Sequence, residues 1–429
     1  MVTGGPTLAI EFLPPRDVVF SCSECGDCCR SLNVPVSPAE RDALERLSWE
    51  GREERLVGKP ATVPTMGQAG PGRRLPREYD GSCTYLGEDN LCLIHRHFGA
   101  GSKPSACRLY PFSFHRLGDS VAVDCAFSCR AVSRGQGGRL NDREAEWTEL
   151  VDSGAVSEQL PYRLSPKATL SGALARTYQS FLESFLADRS LELPQRLRRC
   201  LQFNALATTG SPDGPTAAML REGIAKGLRQ GKVEDWRGEE MDQTQEAIFY
   251  QWLYLFLNPP PANMDTLATA ERDTLARQRV QAGLAFREKG SSPWVDNTEL
   301  PVTFEQVLEI SSASVDPAQA AELFERFLLA KVTGQRFLLA GEASLPFTEA
   351  VPKFLLCYPM VVWTAKALAA ARGERAVAMV DLQEATRLVD RSMGQIATSR
   401  LPRKQARVCD FVMLETDFVL AATTTVRRI

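Results

Sequence analysis

Four cysteines stand within eight residues in Cys22-Ser-Glu-Cys25-Gly-Asp-Cys28-Cys29. Two Cys-x-x-Cys steps let successive thiolates curl around one ion, and Gly26 supplies the backbone freedom that such a knuckle needs. The adjacent pair Cys28-Cys29 fits one tetrahedral ion poorly, because neighbouring side chains in an extended backbone point in opposite directions. The spacing therefore allows two ions, or one polynuclear cluster with an outlying ligand. Farther along, Cys83, Cys92 and Cys107 supply three more thiolates, and Cys125 and Cys129 another one or two. These nine are the candidate metal ligands, with either of the last two completing the set. Sulfur-rich sites suit zinc and iron, including an iron–sulfur cluster, and the spacing does not choose between them.

Other groups near the cysteines have a weaker claim. His95 follows Cys92 by three residues and could replace a thiolate, but a lone histidine near a metal more often supports a ligand or faces solvent, and the same holds for His97 and His115. Arg108 could offset thiolate charge, or be a plain surface arginine. A disulfide framework would need an oxidising compartment, and nine clustered cysteines would strand one thiol. Cys200, Cys357 and Cys409 stand alone in helical-looking sequence, where a single cysteine is usually a small buried hydrophobe.

The elements that must position these groups divide the chain in two. A length of 429 residues predicts two domains, and 44% hydrophobic with 24% charged residues is ordinary globular usage. In the first part, Ser37-Pro38-Ala39-Glu40 has capping-box spacing and predicts a short helix from Pro38. Residues 51–81 show little periodicity, and 120–127 alternates enough for one short strand. Glycines between Arg134 and Leu140 suggest a linker. Beyond it, apolar residues recur at helical spacing through Leu170–Phe185 and Ile248–Phe256, Asp316-Pro317 opens another helix, and Pro259-Pro260-Pro261 stops one. The expected fold is mostly α: a small loop-rich, metal-organised cysteine-cluster domain (1–135), a linker (136–160) and a larger helical domain (161–429).

Net charge of −3 and a pI of about 5.9 offer no general attraction for nucleic acid, and the basic clusters Arg196–Arg199 and Arg403–Arg407 read as solvated helix faces. Residues 1–19 lack the pattern of a signal peptide, so a cytoplasmic location is expected. The apolar stretch Phe354–Ala371 contains Lys366 and Pro359 and reads as a buried core helix, with no membrane partner expected.

The order CSECGDCC, then GSCTYLGEDNLCLIH, then CRLYPF resembles the bacterial YkgJ-type cysteine-cluster family of zinc- or iron-chelating CxxCxxCC proteins, which includes the flagellin lysine N-methylases. The family pattern maps onto Cys22, Cys25, Cys28 and Cys29, then Gly81, Cys83, Leu86, Cys92 and Ile94, then Cys107, Arg108 and Pro111, and a final Cys125 or Cys129. The resemblance covers about residues 20–130 and implies zinc or iron chelation, and the helical remainder suits the family's longer members, in which a helical region follows the cluster; the leading expectation is that this helical domain binds a partner or substrate. It also implies an alternative, methyl transfer from S-adenosylmethionine to a protein lysine such as one on flagellin. Against that alternative, the methylase knuckle is more widely spaced, and Gly210–Gly214 is more simply a turn than a glycine-rich cofactor loop. No residue identifies itself as catalytic. There is no His-Glu-x-x-His, Gly-x-Ser-x-Gly or phosphate-loop motif.

Overall fold

The computed structural model describes residues 10–67, 70–117, 119–152, 156–157, 161–207, 240–258, 269–311, 315–340, 343–393 and 416–427. The first of these segments carries β1 (Glu11–Leu13), β2 (Val19–Phe20), α1 (Asp27–Ser31) and α2 (Pro38–Glu45). Helix α2 begins where its sequence predicts: the Ser37 hydroxyl accepts from the Glu40 amide while a Glu40 carboxylate oxygen accepts from the Ser37 amide. Together they satisfy two donors that the helix leaves open. Within the aperiodic stretch 51–81, β3 (Val63–Gly67) and β4 (Gly70–Arg74) form an antiparallel pair.

Two short helices, α3 (Leu93–Phe98) and α4 (Ser105–Leu109), lead into β5 (Phe112–Leu117) and β6 (Ser120–Cys125), which pair antiparallel with Phe112 opposite Cys125. After α5 (Arg130–Ser133), β7 (Gly138–Arg139) returns to pair with β2. Then come α6 (Glu144–Asp152) and β8 (Val156–Ser157). A four-stranded sheet results, in the order β1-β6-β5-β8. Only β6 was expected, and its alternation is weak because both faces are covered: Val121 to Cys125 are all buried.

The rest of the described chain is mostly helical, as predicted, with three short antiparallel strand pairs between helices: α7 (Gly172–Leu186), α8 (Leu193–Ala207), α9 (Gln243–Leu257), α10 (Thr269–Arg287), α11 (Pro317–Thr333), α12 (Phe347–Leu355), α13 (Cys357–Ala371), α14 (Met379–Arg391) and α15 (Thr416–Arg427). Asp316 caps α11 by accepting from the Ala318 amide. The long apolar run Phe347–Ala371 has the length and composition of a membrane span, but its most apolar window is 89% buried inside the protein. Its Trp363 packs against Phe286 and Phe304 at 5.4 and 5.7 Å.

Apolar packing joins these elements differently from the expected boundaries. A large core runs from Phe12 through the sheet into the helices. A separate small core holds Val34, Val36, Leu44, Trp49, Leu56, Leu75, Tyr85, Leu93 and Ile94 with Cys83. The sheet thus belongs with the helices, although its strands fall within 1–135. Residues 136–160, expected as a linker, instead carry α6, whose fully buried Trp147 sits 5.6 Å from Phe12 and 5.4 Å from Phe112. The glycines that suggest a linker serve the turn into β7. The cluster Arg196–Arg199 is also not a wholly solvated face: Arg196 is buried and donates to Glu325 at 2.7 Å, and Arg199 pairs with Asp188. Arg403–Arg407, Pro259–Pro261, Gly210–Gly214 and Cys409 lie outside the described residues.

Candidate metal centre

The knuckle follows β2, with Cys22 exposed and Cys25 half-buried. Gly26 then adopts φ +71° at the N-cap of α1. A Cβ there would lie 2.6 Å from an Arg30 guanidinium nitrogen and 3.2 Å from the Asn90 Cβ, so glycine lets the turn around Asn90 approach the knuckle. Helix α1 carries Cys28 and Cys29, both half-buried, and Cys29 packs against the small core.

Backbone hydrogen bonds bring the distant cysteines to α1. The Cys83 amide donates to the Cys29 carbonyl at 2.8 Å. A tight turn, closed by a bridge between Leu86 and Cys92 and by the Leu93 amide donating to Tyr85, places Cys92 beside Cys83. Cys107 rides on α4, whose Ser105 amide donates to Glu40 at 2.6 Å. Glu40 therefore both caps α2 and anchors the helix that carries Cys107. Arg77 ties the same region together by donating to the carbonyls of Arg30, Leu32 and Gly81.

The charges these thiols can carry are set by their crowding. Burial, with Cys92 and Cys28 as neighbours, pushes Cys83 up to about 11. Burial raises Cys107 to about 12, with Cys83, Cys92 and Cys28 adding to the rise and Lys103 opposing it. In the pair Cys28–Cys29, a hydrogen bond between the two thiols favours the first thiolate at Cys28 and opposes a second at Cys29, which burial, Cys83 and Cys92 disfavour further. Several thiolates packed together repel unless a cation joins them, and a bound ion reverses that balance. Arg77 and Lys103 are the nearby cations; neither stands out in the sequence, because each is remote along the chain from most of the thiols it faces.

The remaining candidates separate clearly. Cys129, half-buried at the start of α5, feels Cys25 and Cys22, and burial pushes it up to about 11. Cys125 is fully buried at the end of β6 in the large core, and burial raises its thiol far above the ordinary value. His95 is exposed on α3, and His97 packs edge-on to Trp49 at 6.2 Å. His115 lies on β5 in a cavity of about 20 Å³ lined by Tyr162, Arg163 and Gln335, with burial lowering its pKa. Arg108 is half-buried, and its Nε has no hydrogen-bond partner among the described residues. Cys200 and Cys357 are buried among helices, Cys357 with its sulfur 3.3 Å from that of Met393.

The all-sulfur donor set fits a thiophilic ion. Among the described residues, no three histidine, cysteine or acidic side chains already stand in a coordinating arrangement. Residues 21–129 match the CxxCxxCC family model. That family is described as a putative zinc- or iron-chelating domain, and the match spans all nine clustered cysteines. The resemblance read from the cysteine spacing is therefore shared by the whole CxxCxxCC domain, and with it metal binding through cysteines. The remaining residues, 130–429, lie outside the match. No curated protein and no solved structure matches the chain. Nothing among the described residues adds support for S-adenosylmethionine.

Proposed function

We propose that this is a cytoplasmic protein in which zinc or iron, held by the CxxCxxCC domain, organises the N-terminal body, and in which the helical body binds a protein partner or substrate. The observation that carries the reading is convergence. Cysteines from α1, from the 83–92 turn and from α4 meet around a core of ten buried side chains. So few apolar groups give a loop-rich body little stability of its own, and small folds of this kind usually need a metal or disulfide staple. All eleven described cysteines are free thiols, which suits the metal and a reducing compartment. The neighbours Val280 and Leu284, one turn apart on α10 and 63% and 46% exposed, support a partner surface on the helical body.

The test is metal and acid-labile sulfide content of the full chain, purified without oxygen and without a metal-affinity tag. Zinc without colour identifies a structural thiolate centre. Iron with sulfide and visible absorbance identifies an iron–sulfur centre. Protein that holds neither, and takes up neither after reduction of its thiols, overturns the proposal.

A further inference from the structure

We infer that the cysteines form two separate thiolate sites rather than one centre: an inner site of Cys29, Cys83, Cys92 and Cys107, and a seam site of Cys22, Cys25, Cys28 and Cys129. The inference rests on the reading that the domain chelates a metal, and it specifies how. Three observations carry it.

Apolar packing sorts the thiols first. Cys83 lies inside the small core, and Cys29, Cys92 and Cys107 pack against its edge. Cys129 packs against the large core instead, while Cys22 is exposed and Cys25 half-buried outside both. Electrostatic neighbourhood gives the same division for every thiol but Cys28. Cys107 senses Cys83, Cys92 and also Cys28, whereas Cys129 senses Cys25 and Cys22. The adjacent pair Cys28-Cys29 lies where the groups meet: its two thiols hydrogen-bond to each other, but their side chains leave the helix about 100° apart, so parting them offers one thiol to each site.

The third observation concerns anchoring. The inner site is tied together by backbone bonds within the small body, such as that from the Cys83 amide to Cys29. The seam site is fastened across the two bodies. Asp27, between Cys25 and Cys28, pairs with Arg130 at 2.9 Å, next to Cys129, and with Arg387 of α14 at 2.8 Å. The Ser128 amide, on the other side of Cys129, donates to Asp390 of α14 at 2.7 Å. The knuckle and Cys129 are thus both held by the same helix. Four thiols per group match the coordination number of a closed tetrahedral thiolate site, each ion displacing the thiol protons as it binds. The inner ion is enclosed and structural. The seam ion, with Cys22 in solvent, is the one open to exchange.

Cobalt(II) titration of the demetallated, reduced full chain under inert gas distinguishes the arrangements, because tetrahedral thiolate cobalt is coloured. Wild type should take up about two ions per chain. Cys22→Ser and Cys129→Ser should each reduce this to about one and leave the same residual spectrum, while Cys83→Ser and Cys107→Ser should each remove the other ion and leave a different spectrum. Cys22 is exposed, so its substitution does not disturb the core, and that variant alone keeps the test decisive. In a chelator competition the ion lost in Cys22→Ser should be the first to leave the wild type. A single ion abolished by variants of either group overturns the two-site inference and leaves chelation standing. No cobalt uptake at all overturns chelation itself.

Discussion

Replacing Lys331 by Met tests whether the helical body and the sheet that leads to Cys129 are locked by a buried charge cluster. The Lys331 ammonium is 1% exposed, lies 3.0 Å from Asp124 on β6 and 2.8 Å from Asp390 on α14, and donates to the Cys125 carbonyl at 2.9 Å. Close packing enforces this meeting: a Cβ on Gly334, at the end of α11, would sit 2.4 Å from the Asp124 Cα. Removing the cation leaves two buried carboxylates without their counter-ion, and breaking a buried pair from one side costs about 3–5 kcal/mol. With an unfolding entropy of about 2.1 cal/mol/K per residue over 429 residues, Tm should fall by about 3–6 °C. Asp390→Asn is the contrast. It leaves Lys331 paired with Asp124 and keeps an acceptor for the Ser128 amide, so it should cost only about 1–2 kcal/mol. Burial lowers the Lys331 pKa, but the two aspartates outweigh it and the net shift is upward. The cluster's contribution is therefore fully present below the ordinary lysine value and is lost only as pH rises through the higher folded value. The difference between wild type and Lys331→Met is read at pH 8 in calorimetry or urea titration, and it should shrink at lower pH as the uncompensated buried carboxylates of the variant take up protons. A loss below about 1 kcal/mol, or a loss no larger than that of Asp390→Asn, refutes the reasoning.

Four further outcomes are expected. Trp147→Ala should cost about 3–5 kcal/mol in urea unfolding, because the indole fills the space between Phe12, Phe112 and Phe114; an unchanged midpoint would contradict the packing of the 136–160 segment. Stripping the metal with a strong chelator should expose residues between Cys29 and Cys107 to limited proteolysis before the helical body, and simultaneous cleavage throughout would argue against a separately organised small body. Cys357→Ser and Cys200→Ser should leave the metal content of the purified protein unchanged, since both thiols lie among helices in the large core. Burial opposes ionisation of Glu40, but hydrogen bonds from Ser105 and Ser37 prevail and lower its pKa, so its contribution is present above the ordinary glutamate value and fades as pH falls through the folded one. Glu40→Ala should therefore make the small body easier to proteolyse at neutral pH and little different from wild type near pH 3, and equal sensitivity at both would remove the clamp on α4.

Local signals carried far in this chain. The capping box at Ser37, the Asp316 cap and the three-and-four spacing of α7 and α9 each depend on residues a turn or two apart, so the sequence alone located them. The knuckle Cys22 to Cys29 stands out for a related reason: thiols at two-residue spacing are chemically conspicuous wherever they fold. What the sequence could not determine was decided at long range. Strand β6 shows little alternation because it is covered on both faces, and β1 and β8 are too short to announce themselves before the sheet pairs them. Trp147 reads as part of a linker until Phe12 and Phe112, far off in the chain, close around it. The same holds for the centre itself. Spacing left Cys125 and Cys129 equivalent, and only the tertiary structure buries the first in the large core and sets the second beside Cys22 and Cys25, because which side of a strand or turn a thiol faces depends on what packs against it.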